Sequence, residues 1–226
     1  LANGSGLIGR HYMAHNNSAM LALSKTPNTA KFGKTFAIND FYLKGDDDFD
    51  YPMGHIQMLG KSDSTMVEAD APAIAPGFTL EFVAEHALDF WMTSEDLPDP
   101  ENRVILTEDG NVQLIYTPNN TEGHQRLQKK LKWILENVDC ETHILPNHLY
   151  FGKKIPLAGT AHQCGTLRFG TDPITSVLDT YCKAHEVDNL YVIDGSFFPS
   201  SSAINPGLTI MAQALRVGDH LIDKVL

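Results

Sequence analysis

Cysteine, positive charge and long apolar runs are all scarce in this chain, and each scarcity removes a class of protein. The three cysteines, Cys140, Cys164 and Cys182, stand singly with no Cys-x-x-Cys pair, so neither a structural zinc site nor a disulfide framework is expected. Lysine and arginine number 17 against 28 acidic residues, a formal net charge of -11. That sign repels polyanions overall and argues against nucleic acid or an anionic membrane surface as a partner. No run approaches the roughly 18 apolar residues of a membrane span, so no membrane span is expected. The first residues lack the basic-then-apolar build of a signal peptide, and Leu1-Ala-Asn-Gly-Ser-Gly reads as the middle of a longer sequence.

What is present is a globular composition, 42% hydrophobic over 226 residues, enough for one large domain or two modest ones. Gly9 to Ser24 has mixed helical character, with His11 and His15 four apart on one helix face. A strand is expected over Gly54 to Gly60, and a second in the latter part of Phe78 to Trp91, running on to Ser94. Arg103 to Leu106 and Asn111 to Tyr116 flank Glu108-Asp109-Gly110, a hairpin signal because Asp-Gly accepts the positive φ of a tight turn. Thr121 to Val138 places Leu127, Leu131, Ile134, Leu135 and Val138 at helical spacing. This central block predicts an antiparallel sheet backed by a helix. Later come a strand, Leu190 to Ile193, and a closing helix with Asn205 as its cap and Pro206 at its first position. The apolar positions of that helix, Leu208, Met211, Ala212, Leu215, Ile222 and Val225, lie largely on one face.

Three motifs are set aside. Gly4, Gly6 and Gly9 spell Gly-x-Gly-x-x-Gly, but no apolar strand precedes them and the first acid, Asp40, comes too late for a dinucleotide fold. His11 and His15 have metalloprotease spacing, but Tyr12 stands where the glutamate is required. A Ser-His-Asp hydrolase built from His162, Asp194 and one of Ser196 or Ser200 to Ser202 would lack the Gly-x-Ser-x-Gly elbow. Phe90 and Trp91, with Asp89 beside them, are compatible with lining a pocket and with filling a core.

The C-terminal third carries an ordered series: His162-Gln-Cys-Gly-Thr-Leu-Arg-Phe-Gly170, Asp172-Pro173, Ser176 to Asp179, Asn189 to Ser196, Asn205 to Thr209, and Ala214 to His220. This series resembles the C-terminal signature of the glucose-methanol-choline (GMC) oxidoreductases. Leu1 to His15 is similar to that family's segment ending in Gly-Arg-x-x-Met-x-His, which accounts for the spurious glycine motif.

The resemblance implies an α+β chain. Its antiparallel-sheet substrate domain is backed by helices, and a C-terminal strand and helix contribute to an FAD-binding α/β domain whose N-terminal half is absent. Residues 1–35 would pack with the FAD domain, 36–150 would form the substrate-binding domain, and 151–226 would contribute to the FAD and active sites. It further implies FAD as cofactor and an alcohol or sugar as substrate, oxidised by proton abstraction at His162 and hydride transfer to flavin N5. Asn205 would orient the substrate oxygen, and Asp194, Gly195, Asn205, Pro206 and Thr209 would meet the cofactor. The absent half would be supplied from elsewhere, on the same or another polypeptide. The alternative is a non-catalytic fragment or assembly subunit of such a flavoprotein.

Overall fold

The computed structural model describes residues 2–61, 80–138, 140–143 and 160–224. In chain order the elements are β1 (Asn16–Ser24), β2 (Ala37–Ile38), β3 (His55–Met58), α1 (Leu80–His86), β4 (Ala87–Ser94), β5 (Arg103–Leu106), β6 (Val112–Ile115), α2 (Thr121–Asn137), β7 (Cys140–His143), a short 3-10 turn (Gly195–Phe197) and α3 (Gly207–Lys224). The chain forms two compact units, one from Leu1–His15, Glu95–Asn119 and Thr160–Leu226, the other from Asn16–Ser94 and Asn120–Gly159. These units interleave along the sequence, whereas the segments 1–35, 36–150 and 151–226 expected from it are consecutive.

The second unit is an antiparallel five-stranded sheet in the order β2-β3-β4-β1-β7. Strand β1 replaces the helical character expected between Gly9 and Ser24. Its Ala, Met and Leu content suits a helix, but β4 and β7 bond to it on both edges. Both of its faces are also covered: Met20 and Ala22 pack with Leu127, Leu131 and Leu135 of α2, while Ala19, Leu21 and Leu23 pack with Val83 and Ala87. A strand buried on both sides loses the alternation that would have betrayed it.

Helix α2 follows its predicted stripe through Leu127, Leu131 and Leu135. Val138 falls off it, because it is the C-cap residue and 61% exposed. A buried polar chain also ties α2 to the sheet. Ser94 donates to the Met53 carbonyl (2.6 Å), so at its 2.8 Å contact with His124 Nδ1 it accepts. His124 Nε2 then accepts from Ser18 (2.9 Å), and Gln128 donates to Ser18 (2.9 Å). Phe90 is core rather than pocket lining, at 4% exposed.

In the first unit, β5 and β6 form their own two-stranded sheet, Arg103 opposite Ile115, with Gly110 at φ +78° in the turn. The expected strand Leu190 to Ile193 is reduced to a single bridge, Lys183 to Tyr191, because the described residues beside it supply only the segment around Cys182 to Ala184. Helix α3 starts later than expected: the Pro206 carbonyl accepts from Ile210 N (3.1 Å), which puts Pro206 at the cap and Gly207 first in the helix. The stripe named from the sequence is not the side covered here. Val217 is buried, with Ile210 and Leu221 packed against the same core, whereas Leu208, Met211, Leu215 and Ile222 are 60–76% exposed. Apolar residues occur on two stripes of this helix, and periodicity does not say which one is covered. Val225 lies outside the described residues. The whole is mixed α and β with antiparallel sheets.

Candidate active site

The His162 loop is held against the N-terminal segment by backbone pairing. Met13 N donates to Cys164 O and Cys164 N to Met13 O, both at 2.9 Å, so residues 13 and 164 stand opposite one another in antiparallel register. In that register the position two after Met13 faces the position two before Cys164, since side chains two apart share a face. Those positions are His15 and His162. Glycine is obligatory at 165, where φ is +92° and an added Cβ would lie 2.2 Å from the His11 carbonyl oxygen.

The two imidazoles meet edge to face, ring centres 4.7 Å apart at 74°, with Nδ1 of His162 2.9 Å from Nδ1 of His15. His15 is 3% exposed, and its Nε2 lies 3.0 Å from the Ser201 carbonyl oxygen. Ser201 is buried in turn. Its hydroxyl accepts from Asp96 N and donates to Asp96 O, each at 3.0 Å. The Asp96 carboxylate accepts from Ala14 N (3.0 Å), Tyr116 Oη (2.9 Å) and Asn119 N (3.3 Å). Four stretches of chain, around 14–15, 95–96, 116–119 and 200–201, are thereby fastened behind the histidine pair.

Burial raises the pKa of the Asp96 carboxyl despite the three donors that favour its charged form. Burial likewise pushes the Tyr12 hydroxyl and the Cys164 thiol each up to about 12, and raises Tyr116. None of these three exchanges a proton readily near neutral pH.

Gly195 and Asp194 adjoin the same loop. Gly165 N donates to the Gly195 carbonyl (3.3 Å), and a Cβ at 195 would stand 2.5 Å from the Gln163 carbonyl oxygen. Asp194 Oδ1 accepts from Ser196 N (2.8 Å) and Ser196 Oγ (2.5 Å), capping the 3-10 turn. Its Oδ2 has no partner among the described residues, and the residue is exposed. Asp194 makes no contact with His162 among those residues, so the hydrolase triad is not assembled. Asn205 and Thr209 are exposed, Pro206 is half-buried, and at Gly207 an added Cβ would meet nothing within 4 Å. The start of α3 is therefore open, and the structure links it to the histidines through Ser201, four residues before Asn205. An exposed acceptor at Asp194 and an uncrowded helix N-terminus suit a polyhydroxylated, electron-rich cofactor such as FAD.

Elsewhere the expectations are not met. His11 and His15 share no helix face: His11 sits at φ +59°, its Nδ1 buried without a partner among the described residues. Arg168, within the His162 to Gly170 run, makes no ion pair with any described carboxylate, and burial lowers its pKa. Sequence reasoning weighed His15 as a metal candidate and as the end of a family-like segment, and Ser201 only as one of several hydrolase serines, and it passed over Asp96. The one available signal was the Met-x-His spacing, which mirrors His-x-Cys across the pairing.

The sequence model for GMC oxidoreductase matches residues 98–214, about half of the chain. The chain belongs to the GMC oxidoreductase family. Among its relatives, paromamine 6'-oxidase of Streptomyces fradiae is 31% identical over 96% of this chain and 39% of its own length. The fructose dehydrogenase large subunit of Gluconobacter japonicus is 26% identical over 100% of this chain and 43% of its own. Pyridoxine 4-oxidase from Mesorbium loti has a similar fold, with a TM-score of 0.60 at 19% identity over 94% of this chain and 43% of that one. This GMC chain thus spans about two fifths of the length of the relatives it matches.

Proposed function

We propose that this chain carries the substrate-handling end of an FAD-dependent oxidoreductase acting on an alcohol or sugar hydroxyl, with His162 as the base. The observation that carries the reading is the His162 ring, half-buried and held through Nδ1 by a buried histidine, so that the ring is fixed in place with Nε2 as its other basic atom. A neutral alcohol is a poor hydride donor, and removing the hydroxyl proton as C–H breaks makes it a good one. His162 Nε2 accepts that proton, and the Asn205 carboxamide orients the oxygen. FAD, when bound, supplies the two-electron acceptor.

Asp194, Gly195, Asn205, Pro206 and Thr209 would hold the cofactor, with the exposed Asp194 carboxylate accepting from its hydroxyls and the positive end of α3 favouring negative charge on it. Residues 1–35 pack with the FAD-binding portion, 36–150 shape the substrate site, and 151–226 serve both. The dinucleotide-binding half is supplied from outside residues 1–226, on the same or another polypeptide. A fructose dehydrogenase among the relatives supports a sugar among the substrates.

The test is anaerobic bleaching of the flavin absorbance of the assembled protein by fructose and by short primary alcohols. His162→Ala is expected to slow reduction about 10²–10⁴-fold with the flavin spectrum retained. Reduction at an unchanged rate would remove His162 from the mechanism. A colourless assembled protein would favour a non-catalytic assembly role.

A further inference from the structure

We infer that His15 is a positioning residue that sets the tautomer of His162, through a one-way hydrogen-bond chain ending on the Ser201 carbonyl; this rests on the reading of His162 as the base. The Ser201 carbonyl oxygen can only accept, so at 3.0 Å His15 Nε2 must carry the hydrogen and donate. A neutral His15 then has a bare Nδ1. That atom is 2.9 Å from His162 Nδ1, which must donate to it, since two bare nitrogens at this distance would repel. His162 is therefore the Nδ1–H tautomer, with its lone pair on Nε2. Among neutral rings no other assignment satisfies both contacts, and the tautomers follow from the network.

The chain also favours the product of proton abstraction. When His162 Nε2 has taken the hydroxyl proton, Nδ1–H belongs to an imidazolium and its bond to His15 becomes charge-assisted and stronger. No proton needs to move between the rings. His15 keeps its hydrogen on Nε2, directed at Ser201, and the positive charge is stabilised by polarisation along the chain. Ser201 is rigid enough for this role. Its hydroxyl clasps both the N–H and the carbonyl of Asp96, and Asp96 holds Ala14, the residue before His15. Carbonyl and imidazole are thus fixed to the same buried carboxylate residue.

Two measurements test this on the flavin-loaded protein. In 15N–1H correlation spectra with labelled histidine, His162 is expected to be protonated on Nδ1, with Nε2–H appearing in His15→Phe; His162 already protonated on Nε2 in the unmodified protein overturns the inference. In anaerobic flavin reduction, His15→Phe is expected to lower the limiting rate about 10–100-fold and shift the pH profile while substrate binding changes less than about twofold. His15→Asn, whose Oδ1 can accept where Nδ1 did, should recover to within about fivefold of the unmodified rate. Equal losses in both variants with an unmoved pH profile would show a merely structural role and overturn it. His162→Ala is the control that separates the two claims. Loss there with none in His15→Phe defeats the tautomer role alone, and no loss in either defeats the base assignment as well.

Discussion

Asp96 fastens the chain behind the histidine pair. It is fully buried and receives two backbone amides and a phenol, an arrangement that compensates a carboxylate for lost water. Asp96→Ala strips all three donors at once, and unfolding in urea should show a loss of about 2–4 kcal/mol, each orphaned buried donor costing on the order of 1 kcal/mol or more. Asp96→Asn keeps one acceptor oxygen and lets Tyr116 turn its hydroxyl, so it should lose clearly less. Equal stability of Asp96→Ala and the parent would mean the knot behind His15 is not held this way. Nothing local in Ser-Glu-Asp-Leu-Pro announces this, because the partners of Asp96 come from Ala14, Tyr116, Asn119 and Ser201, and only the folded chain brings them together. His162 and Asn205, by contrast, stood out in the sequence because each sits within a run of residues that resembles a family signature.

Elements were legible to the degree that their burial was one-sided. Helix α2 and the β5–β6 hairpin were read correctly because a leucine stripe and an Asp-Gly turn are local signals. Strand β1 was missed because burial on both faces removes its period, and which side of α3 is covered was not legible because its sequence offers two apolar stripes. Strand β3 carries a testable consequence. His55 on it is 4% exposed and donates through Nδ1 to Asn39 Oδ1 (2.6 Å), and burial lowers its pKa below 6.5. The folded state therefore binds the proton less readily than the unfolded one, so stability is full above pH 6.5 and falls as pH drops below it. His11, also lowered chiefly by burial, acts in the same direction. Urea midpoints at pH 7.5 and 5.5 should converge in His55→Gln relative to the parent, the slope losing up to one proton. An unchanged slope would mean that His55 already carries its proton in the fold.

At the scale of the whole molecule, the two compact units cut across the sequence, and every residue proposed for chemistry or cofactor lies in the unit built from Leu1–His15, Glu95–Asn119 and Thr160–Leu226. The decisive contacts span 147 residues from His15 to His162 and 186 from His15 to Ser201. Pairings of that separation leave no mark on local composition. The net charge of -11 repels polyanions overall. The most direct measurement of the central claim is the pH dependence of anaerobic flavin reduction, taken in parallel for the unmodified protein and for His162→Asn. The rate should climb through one ionisation in the histidine range as pH rises and the imidazole loses its proton, and that limb should vanish in His162→Asn. The same limb persisting in His162→Asn would place the base at another residue and contradict the account.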